Sequence, residues 1–256
     1  MAFIHRDADE GGDPVCWAHL LDEPGGPFAW HLVEMASFSE IPWLDSKVQE
    51  YCAARATPQP DPVLQELARV TEERFGRAAV MQIGGDQGAL MGLLVALTGA
   101  RRAVEVGTFT GYSSLCIARA LPEDGRLLCC DVSEEWTSLA REAWTKAGVD
   151  HKIVLAIAPA IETLEALPAD EVIDVAFIDA DKPSYLAYYE ELLPRLRTNG
   201  LLMVDNTLWS GKVLDPDAND DDTTALKAFN DYVAADRRVH SVLLPIRDGL
   251  TLIRKR

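Results

Sequence analysis

Three oxygen-bearing side chains end two apolar segments in the C-terminal half of this 256-residue chain. Asp179 ends VIDVAFID, and Asp205 and Asn206 end GLLMVDN. If both segments are parallel strands, their carboxyl ends share one edge of a sheet, so these side chains meet there. Carboxylate and amide oxygens suit Mg²⁺ or a similar cation that keeps several open positions. We therefore predict a divalent-cation site that Lys182 joins; solvated strand ends and a surface lysine are the alternative.

A glycine-rich stretch, VEVGTFTGYSS, ends an earlier apolar segment at Gly107. A dinucleotide-binding turn would need glycines where Phe109 and Tyr112 stand. The Gly-Lys-Ser/Thr of a phosphate-binding P-loop is absent from the stretch. Asp131, at the end of the next apolar segment, can accept both hydroxyls of a ribose. The pattern predicts an adenosine ligand without phosphates, which S-adenosylmethionine fits; a structural turn with a helix-capping aspartate is the alternative.

Alternating strands and helices must position these residues. Asp61 with Pro62 marks the start of one helix, and Ser133 and Gly148 bound another. The apolar strands between such helices indicate an α/β fold whose parallel sheet is covered on both faces. VHSVLLPI and LTLIRK read as a closing hairpin around a turn at residues 247–249. The polar strand ends converge on one rim, at Gly107, Asp131, Ala160, Asp179, Asp205 and Asn206.

Composition limits the classes of partner. The formal charge is −17 and the pI is near 4.6, which disfavours nucleic acid and anionic membrane as partners. Five cysteines without metal-type spacing predict reduced thiols in a cytosolic, hence cytoplasmic, protein. No signal peptide or membrane span is expected, because no apolar segment approaches 18 residues. The acidic stretch at 215–222 lacks the glycine and glutamate of a calcium-binding EF-hand loop, so we predict a solvated loop before a helix from Thr223.

Four ordered stretches resemble one enzyme family. VEVGTFTGYSSLCIARALPEDGRLLCCDV, AGVDHKI, FIDADKPSYLAYY and VDNTLWSGKV are similar to the cation-dependent class I O-methyltransferases of the caffeoyl-CoA and catechol type. The resemblance covers roughly residues 60–256. It implies a Rossmann-like class I methyltransferase fold, with a seven-stranded, mostly parallel sheet, an antiparallel last strand and helices on both faces. It also implies a homodimer and a methyltransferase domain at 61–256, with residues 1–60 as an N-terminal extension.

The resemblance also implies roles for individual residues. The metal ligands would be Asp179, Asp205 and Asn206, with Asp179 and Lys182 as catalytic residues and Lys182 as general base. Contacts to S-adenosylmethionine would come from Ile83, Glu105, Gly107, Thr108, Ser113, Asp131, Ala160 and Asp181. Tyr185, Trp209 and Ser210 are the predicted substrate contacts. The two aromatic rings could form a wall over a phenolic ring, and packing of either ring between sheet and helix is the alternative.

The expected reaction is methylation of a hydroxyl on a catechol-like or other phenolic small molecule. A phenol has a pKa of about 10, so a cation and Lys182 would favour the phenolate. A non-phenolic hydroxyl of a larger natural product and, in another class, metal-dependent hydrolysis are the alternatives. Ala158, Ser210 and the stretch IGGDQGAL depart from the family pattern at the substrate and cofactor rims. Residues 1–60 match no pattern; Trp17, Phe28, Trp30 and Trp43 could roof the substrate pocket, or the segment could be a dimer or surface appendage.

Overall fold

Strands and helices alternate along the part of the chain that the structure describes. The structure is a computed structural model that describes residues 46–168 and 170–256, which lie within one compact unit, Pro42–Arg256. The helices are α1 (Ser46–Ala53), α2 (Pro62–Phe75), α3 (Gly85–Leu97), α4 (Tyr112–Ala120), α5 (Glu134–Ala147), α6 (Ala160–Glu165), α7 (Tyr185–Arg195) and α8 (Asp221–Ala235). The strands are β1 (Arg102–Val106), β2 (Arg126–Asp131), β3 (Ile153–Ile157), β4 (Ile173–Ile178), β5 (Leu196–Val204), β6 (Val239–Leu244) and β7 (Leu250–Lys255).

The strands form one seven-stranded sheet in the order β3-β2-β1-β4-β5-β7-β6. Strands β1 to β5 pair in parallel, whereas β7 runs antiparallel to both β5 and β6. The predicted fold class is confirmed, including the antiparallel last strand and the closing hairpin. Because β1 to β5 are parallel, their carboxyl ends all reach the same edge of the sheet.

Capping residues fix the helices where the sequence predicted them. The side chain of Asp61 accepts a hydrogen bond from the Leu64 N–H at 3.1 Å, and Pro62 opens α2. The Ser133 hydroxyl accepts one from the Trp136 N–H at 3.2 Å at the start of α5. Gly148 ends α5 in the left-handed conformation, with φ of 68°. These caps orient α5 directly after the end of β2.

Apolar residues alternate between two cores, one on each face of the sheet. Val175 and Phe177 of β4 pack in the core that α2 to α5 cover. Ala176 and Ile178 pack in the core that α6 to α8 cover. Burying a Phe or Ile side chain contributes about 1.5–3 kcal/mol, so these two layers hold the central strand ends in place.

Two predicted boundaries were wrong. Strand β5 begins at Leu196 rather than at Gly200, because a register shift against β4 accommodates extra residues, with Asn199 in the left-handed conformation at φ of 63°. Helix α8 begins at Asp221 rather than at Thr223, because Asp220 caps it by accepting from the Thr223 N–H at 3.1 Å.

The structure also bears on the predictions for membrane-spanning segments and cysteines. Over residues 46–168 and 170–256, no single helix is long and apolar enough to cross a membrane; the pair Pro62–Met81 and Gly85–Leu97 reaches that length and composition together but is bent by 72°. The cysteines described, Cys52, Cys116, Cys129 and Cys130, are all free thiols. Cys16, Trp17, Phe28, Trp30 and Trp43 lie outside the described residues, and the division at residue 60 stays a prediction.

Candidate active site

One cavity of about 1210 Å³ opens at the carboxyl edge of the parallel strands. The polar strand ends that the sequence placed on one rim all line it. Thirteen of the predicted site residues contribute to its wall: Ile83, Gly107, Thr108, Ser113, Asp131, Ala160, Asp179, Asp181, Lys182, Asp205, Asn206, Trp209 and Ser210. The predicted cofactor turn and the predicted cation ligands therefore share one cavity.

The glycine turn after β1 touches the end of β4. Gly107 has φ of 88°, and a Cβ atom there would lie 1.9 Å from the carbonyl oxygen of Asp179. The Gly107 N–H donates to the carbonyl of Cys130 at 2.9 Å, and the Asp179 N–H donates to that of Val106 at 2.8 Å. Glycine is required here by both the backbone conformation and the close approach.

Asp131 holds this turn closed. Its Oδ2 accepts hydrogen bonds from the N–H groups of Thr108 at 2.9 Å and Phe109 at 2.8 Å, and its Oδ1 accepts one from the Ser133 N–H at 2.8 Å. A carboxylate offers about four acceptor sites, so roughly one is left for a ligand. Asp131 therefore stabilises a structural turn, as the alternative interpretation predicted, and it also lines the cavity.

An aromatic pair lines the cavity beside the turn. The rings of Phe109 and Trp136 meet edge to face, with centroids 5.3 Å apart, and both residues line the cavity. The sequence analysis did not assign Trp136 to the site. The sequence feature that could have indicated Trp136 is its position: it lies in the first turn of α5, which Ser133 caps two residues after Asp131.

Glu105 lies behind the turn and not on the cavity wall. Its side chain is completely buried, and neither carboxyl oxygen has a hydrogen-bond partner among the described residues. Burial raises the pKa of Glu105 to about 8, against the opposing influence of the nearby Ser113, Cys129 and Thr108 side chains. Burial therefore favours the protonated form of this carboxyl group.

Lys182 connects two of the three predicted cation ligands. Its Nζ donates to Asp179 Oδ1 at 3.2 Å, to Asn206 Oδ1 at 2.7 Å and to the Tyr185 hydroxyl at 2.6 Å. The lysine is 7% exposed, so it is not the ordinary surface lysine of the alternative interpretation. Its ammonium group places a positive charge among the oxygens that the sequence assigned to a cation.

Asp205 is the third predicted ligand, and other partners hold it. Gln87 of α3 donates from Nε2 to Asp205 Oδ2 at 2.7 Å, and the Asn206 N–H donates to Oδ1 at 2.8 Å. Burial, together with the charge of Asp179, raises the pKa of Asp205 to about 7. Gln87 belongs to the stretch IGGDQGAL that the sequence places at the cofactor and substrate rims, but no role was predicted for it, because an otherwise apolar helix gives no sign of which side chain faces the site.

The structure adds no histidine, cysteine or acidic cluster to the predicted cation ligands in the part of the chain that it describes. Within residues 46–168 and 170–256, no group of three or more His, Cys, Asp or Glu side chains is arranged to hold a metal ion. The predicted ligands are instead two carboxylates and one amide oxygen, from Asp179, Asp205 and Asn206.

Of the three predicted substrate contacts, two line the cavity and one does not. Tyr185 is completely buried and does not line the cavity. Its hydroxyl accepts from Lys182 Nζ and donates to the backbone carbonyl of Asp205, while its ring packs edge to face on Phe229. Of the two alternatives for its ring, packing between the sheet and a helix is the one observed, and Tyr185 forms no part of the cavity wall. Trp209 and Ser210 do line the cavity, and both are left-handed, at φ of 48° and 53°. Such backbone costs about 1–3 kcal/mol per residue and is concentrated at functional sites.

The turn between β6 and β7 completes the wall near the cation ligands. Arg247 and Asp248 line the cavity, and Arg247 Nε donates to Asp86 Oδ1 at 2.8 Å. Arg247 and Asp86 also line a second, smaller cavity of about 260 Å³. The sequence analysis identified the turn but not this ion pair, whose partners stand 161 positions apart.

The sequence model of one family, described as O-methyltransferase, matches residues 54–256. That match covers more than half of the chain. The chain belongs to the O-methyltransferase family. Its predicted resemblance to caffeoyl-CoA and catechol O-methyltransferases is confirmed, as is its assignment as an enzyme of this class. The hydrolase alternative is set aside.

Individual relatives agree with the family assignment. "Probable caffeoyl-CoA O-methyltransferase 2" of Dictyostelium discoideum is 43% identical over 197 residues, which cover 75% of this chain and 85% of that protein. "Catechol O-methyltransferase domain-containing protein 1" of Mus musculus is 39% identical over 215 residues, covering 83% and 81% of the two chains. Among solved structures, the O-methyltransferase TomG of Streptomyces achromogenes, in complex with S-adenosylmethionine, has a TM-score of 0.73 at 30% identity, covering 82% of this chain and 96% of TomG.

Proposed function

We propose that this chain transfers the methyl group of S-adenosylmethionine to a phenolic hydroxyl of a catechol-like small molecule, with a divalent cation bound beside the acceptor. The observation that carries the proposal is that one cavity joins the Gly107 turn and Asp131 to Asp179, Asp205 and Asn206. Relatives named for caffeoyl-CoA and catechol methylation support the acceptor class.

The turn side of the cavity fits the nucleoside of S-adenosylmethionine. Asp131 keeps an acceptor for a ribose hydroxyl, and the Phe109 and Trp136 rings provide an apolar wall for a base. Ile83, Ala160 and the other predicted cofactor contacts line the same cavity. Glu105 does not line it, so this residue would support the Gly107 turn and not the ligand directly. The complex of TomG with S-adenosylmethionine supports this assignment.

The donor set at the other side fits a divalent cation. Asp205 is buried and Asp179 is half-buried, so the two neighbouring carboxylates repel each other with little screening by solvent. Lys182 compensates one negative charge and contacts no oxygen of the Asp205 side chain among its described partners. An ion such as Mg²⁺ would find two carboxylates and the Asn206 amide oxygen, which are the donors it prefers.

The protein groups have distinct tasks in this reaction. When bound, the cation would act as a Lewis acid that lowers the pKa of a phenol from about 10. Lys182, whose Nζ lies on the cavity wall beside Asn206, would stabilise the developing oxyanion as an ammonium group or, in its neutral amine form, accept the phenolic proton. Trp209 and Ser210 would orient the acceptor so that its oxygen faces the methyl group.

A substitution pair tests the cation and base assignments. We expect Asp179→Ala to abolish both methyl transfer and Mn²⁺ binding, because it removes a charged ligand. Lys182→Ala should lose turnover by about 10²–10⁴-fold, the range for general acid–base catalysis, while retaining S-adenosylhomocysteine affinity. Asp217→Ala, in the exposed acidic loop, is the matched control. Undiminished turnover of the wild-type enzyme in excess chelator contradicts the proposal.

The acceptor class needs a panel assay. Catechols, caffeoyl thioesters and polyketide phenols would be compared with and without Mg²⁺, since a vicinal diol can offer two oxygens to one cation. Methylation confined to non-phenolic hydroxyls would favour the alternative acceptor instead.

The homodimer and the cytoplasmic location belong to this proposal as predictions. Helix α3 leaves Leu93 and Leu97 at 56% and 73% exposure, and such apolar surface suits a second copy of the chain. We expect a dimer mass by light scattering, and Leu93→Glu with Leu97→Glu should yield monomer. A wild-type monomer at micromolar concentration contradicts the prediction.

A further inference from the structure

Gln87 is a buried amide that contacts a predicted cation ligand. It is 1% exposed, lines the cavity and donates from Nε2 to Asp205 Oδ2 at 2.7 Å. The Asn206 N–H occupies Oδ1 of the same carboxylate at 2.8 Å. Each oxygen of Asp205 thus receives one neutral donor, and the direction of its remaining lone pairs is fixed.

Different side chains orient the two predicted carboxylate ligands: Lys182 contacts Asp179, and Gln87 contacts Asp205. Lys182 orients Asp179 and Asn206 directly through its ammonium group. Among the described contacts of Asp205, Gln87 is the side chain that donates to the carboxylate. Without it, the carboxylate keeps its contact with the N–H of the adjacent residue and loses its tie to α3.

The first turn of α3 is itself held in place. Asp86 pairs with Arg247 in the turn between β6 and β7, through Nε at 2.8 Å and through the second guanidinium nitrogen. The same turn holds the chain after Asn206, because the Thr207 N–H donates to the Gly249 carbonyl at 3.1 Å. Gln87 and the residues that follow Asp205 are therefore fixed against one turn.

We infer that Gln87 is a positioning residue that orients the Asp205 carboxylate for the divalent cation, and that the Asp86–Arg247 pair supports it. The inference rests on the proposed function, since it assigns Gln87 to the same cation site. Hydrogen-bonded partners of ligating carboxylates typically contribute 10–100-fold to metal affinity. If the hydrogen bond from Gln87 to Asp205 served only to join α3 to the sheet, its loss would lower the stability of the fold and leave the cation affinity unchanged.

Mn²⁺ titration of the full chain tests this inference, with calorimetry giving the dissociation constant. We expect Gln87→Leu to weaken Mn²⁺ binding by about 10–100-fold, with S-adenosylhomocysteine affinity unchanged within about twofold. Gln65→Leu, which alters an exposed glutamine on α2 that bonds the Pro60 carbonyl, is the control. Arg247→Met should give a smaller loss.

The outcomes separate the inference from the function on which it rests. If the wild-type chain binds Mn²⁺ and Gln87→Leu binds it equally well, the inference is overturned while the proposed cation site stands. If the wild-type chain binds no Mn²⁺, the proposed cation site fails and takes the inference with it. Should Gln87→Leu not fold, Gln87→Asn keeps an amide too short to reach Asp205, and unchanged affinity in that variant also overturns the inference.

Discussion

Gly107 and Gly148 share a left-handed backbone but have different surroundings. A Cβ at residue 107 would strike the Asp179 carbonyl, whereas nothing lies within 4 Å of a Cβ at residue 148. We expect Gly148→Ala to cost about 1–2 kcal/mol of unfolding free energy, the left-handed penalty alone. Gly107→Ala should cost more, by about 2 kcal/mol or above, because strands β1 and β4 must separate. Urea unfolding of both variants measures the difference, and equal losses would contradict the steric argument.

Individual site residues were predictable when the residue type itself restricted the chemistry. Asp179, Asp205 and Asn206 end buried strands, so their positions followed from strand direction. Tyr185 and Gln87 were misjudged or missed because the face of a helix toward which a side chain points depends on packing. The apolar sequence of α3 and the aromatic start of α7 do not encode that direction.

At the scale of elements, one charged group joins α7, α8 and β6. Asp236 accepts from the Tyr189 hydroxyl at 2.8 Å and from the Arg238 N–H at 2.7 Å, and it pairs with the Arg238 guanidinium. Arg238 also pairs with Glu190 of α7. The hydrogen bonds from Arg238 lower the pKa of Asp236 to about 2. This network therefore favours the ionised carboxylate in the folded state.

That shift predicts the pH dependence of one variant. A carboxyl group whose pKa falls on folding stabilises the protein above its unfolded pKa of about 3.9, and the contribution disappears as the pH falls through about 2. Asp236→Asn should lose about 1–2 kcal/mol near pH 7, allowing for screening at the half-exposed Arg238. Its deficit relative to wild type should shrink between about pH 4 and pH 2. Urea unfolding across that range checks this; a deficit independent of pH, or one shared by Asp217→Asn, contradicts it.

Element boundaries were predictable where a cap marked them. Asp61, Ser133 and Gly148 gave the limits of α2 and α5, because a side-chain acceptor or a left-handed glycine fixes a helix end locally. The early start of β5 was not predictable, since its register shift is a relation between two strands. The Asp86–Arg247 pair was hidden for the same reason.

At the scale of the whole molecule, the described fold and cavity lie within residues 46–256. If the aromatic residues of the N-terminal segment roof the substrate site, deleting residues 1–40 should raise the Michaelis constant for the acceptor. The S-adenosylhomocysteine affinity should change little, because the predicted nucleoside contacts begin at Ile83. Steady-state kinetics of the shortened chain against the full chain measures both, and an unchanged Michaelis constant dismisses the roof.

The overall architecture followed from sequence because β and α segments alternate and the last two strands form a hairpin. What the sequence could not supply was the interior of the cavity, where Gln87, Trp136 and Arg247 meet residues far away along the chain. Those contacts join residues that are far apart in the sequence, so they depend on how the sheet arranges the elements.

Arg247 lines both cavities, the larger of about 1210 Å³ and the smaller of about 260 Å³. Glycine at residue 84 leaves room for it, since a Cβ there would come within 2.6 Å of Nε. If the acceptor binds beside the cation ligands as proposed, we expect the Arg247 side chain to limit the size of acceptor that the larger cavity takes. New acceptors could be admitted by trimming the hairpin loop of Arg247, without redesigning the sheet that carries the chemistry.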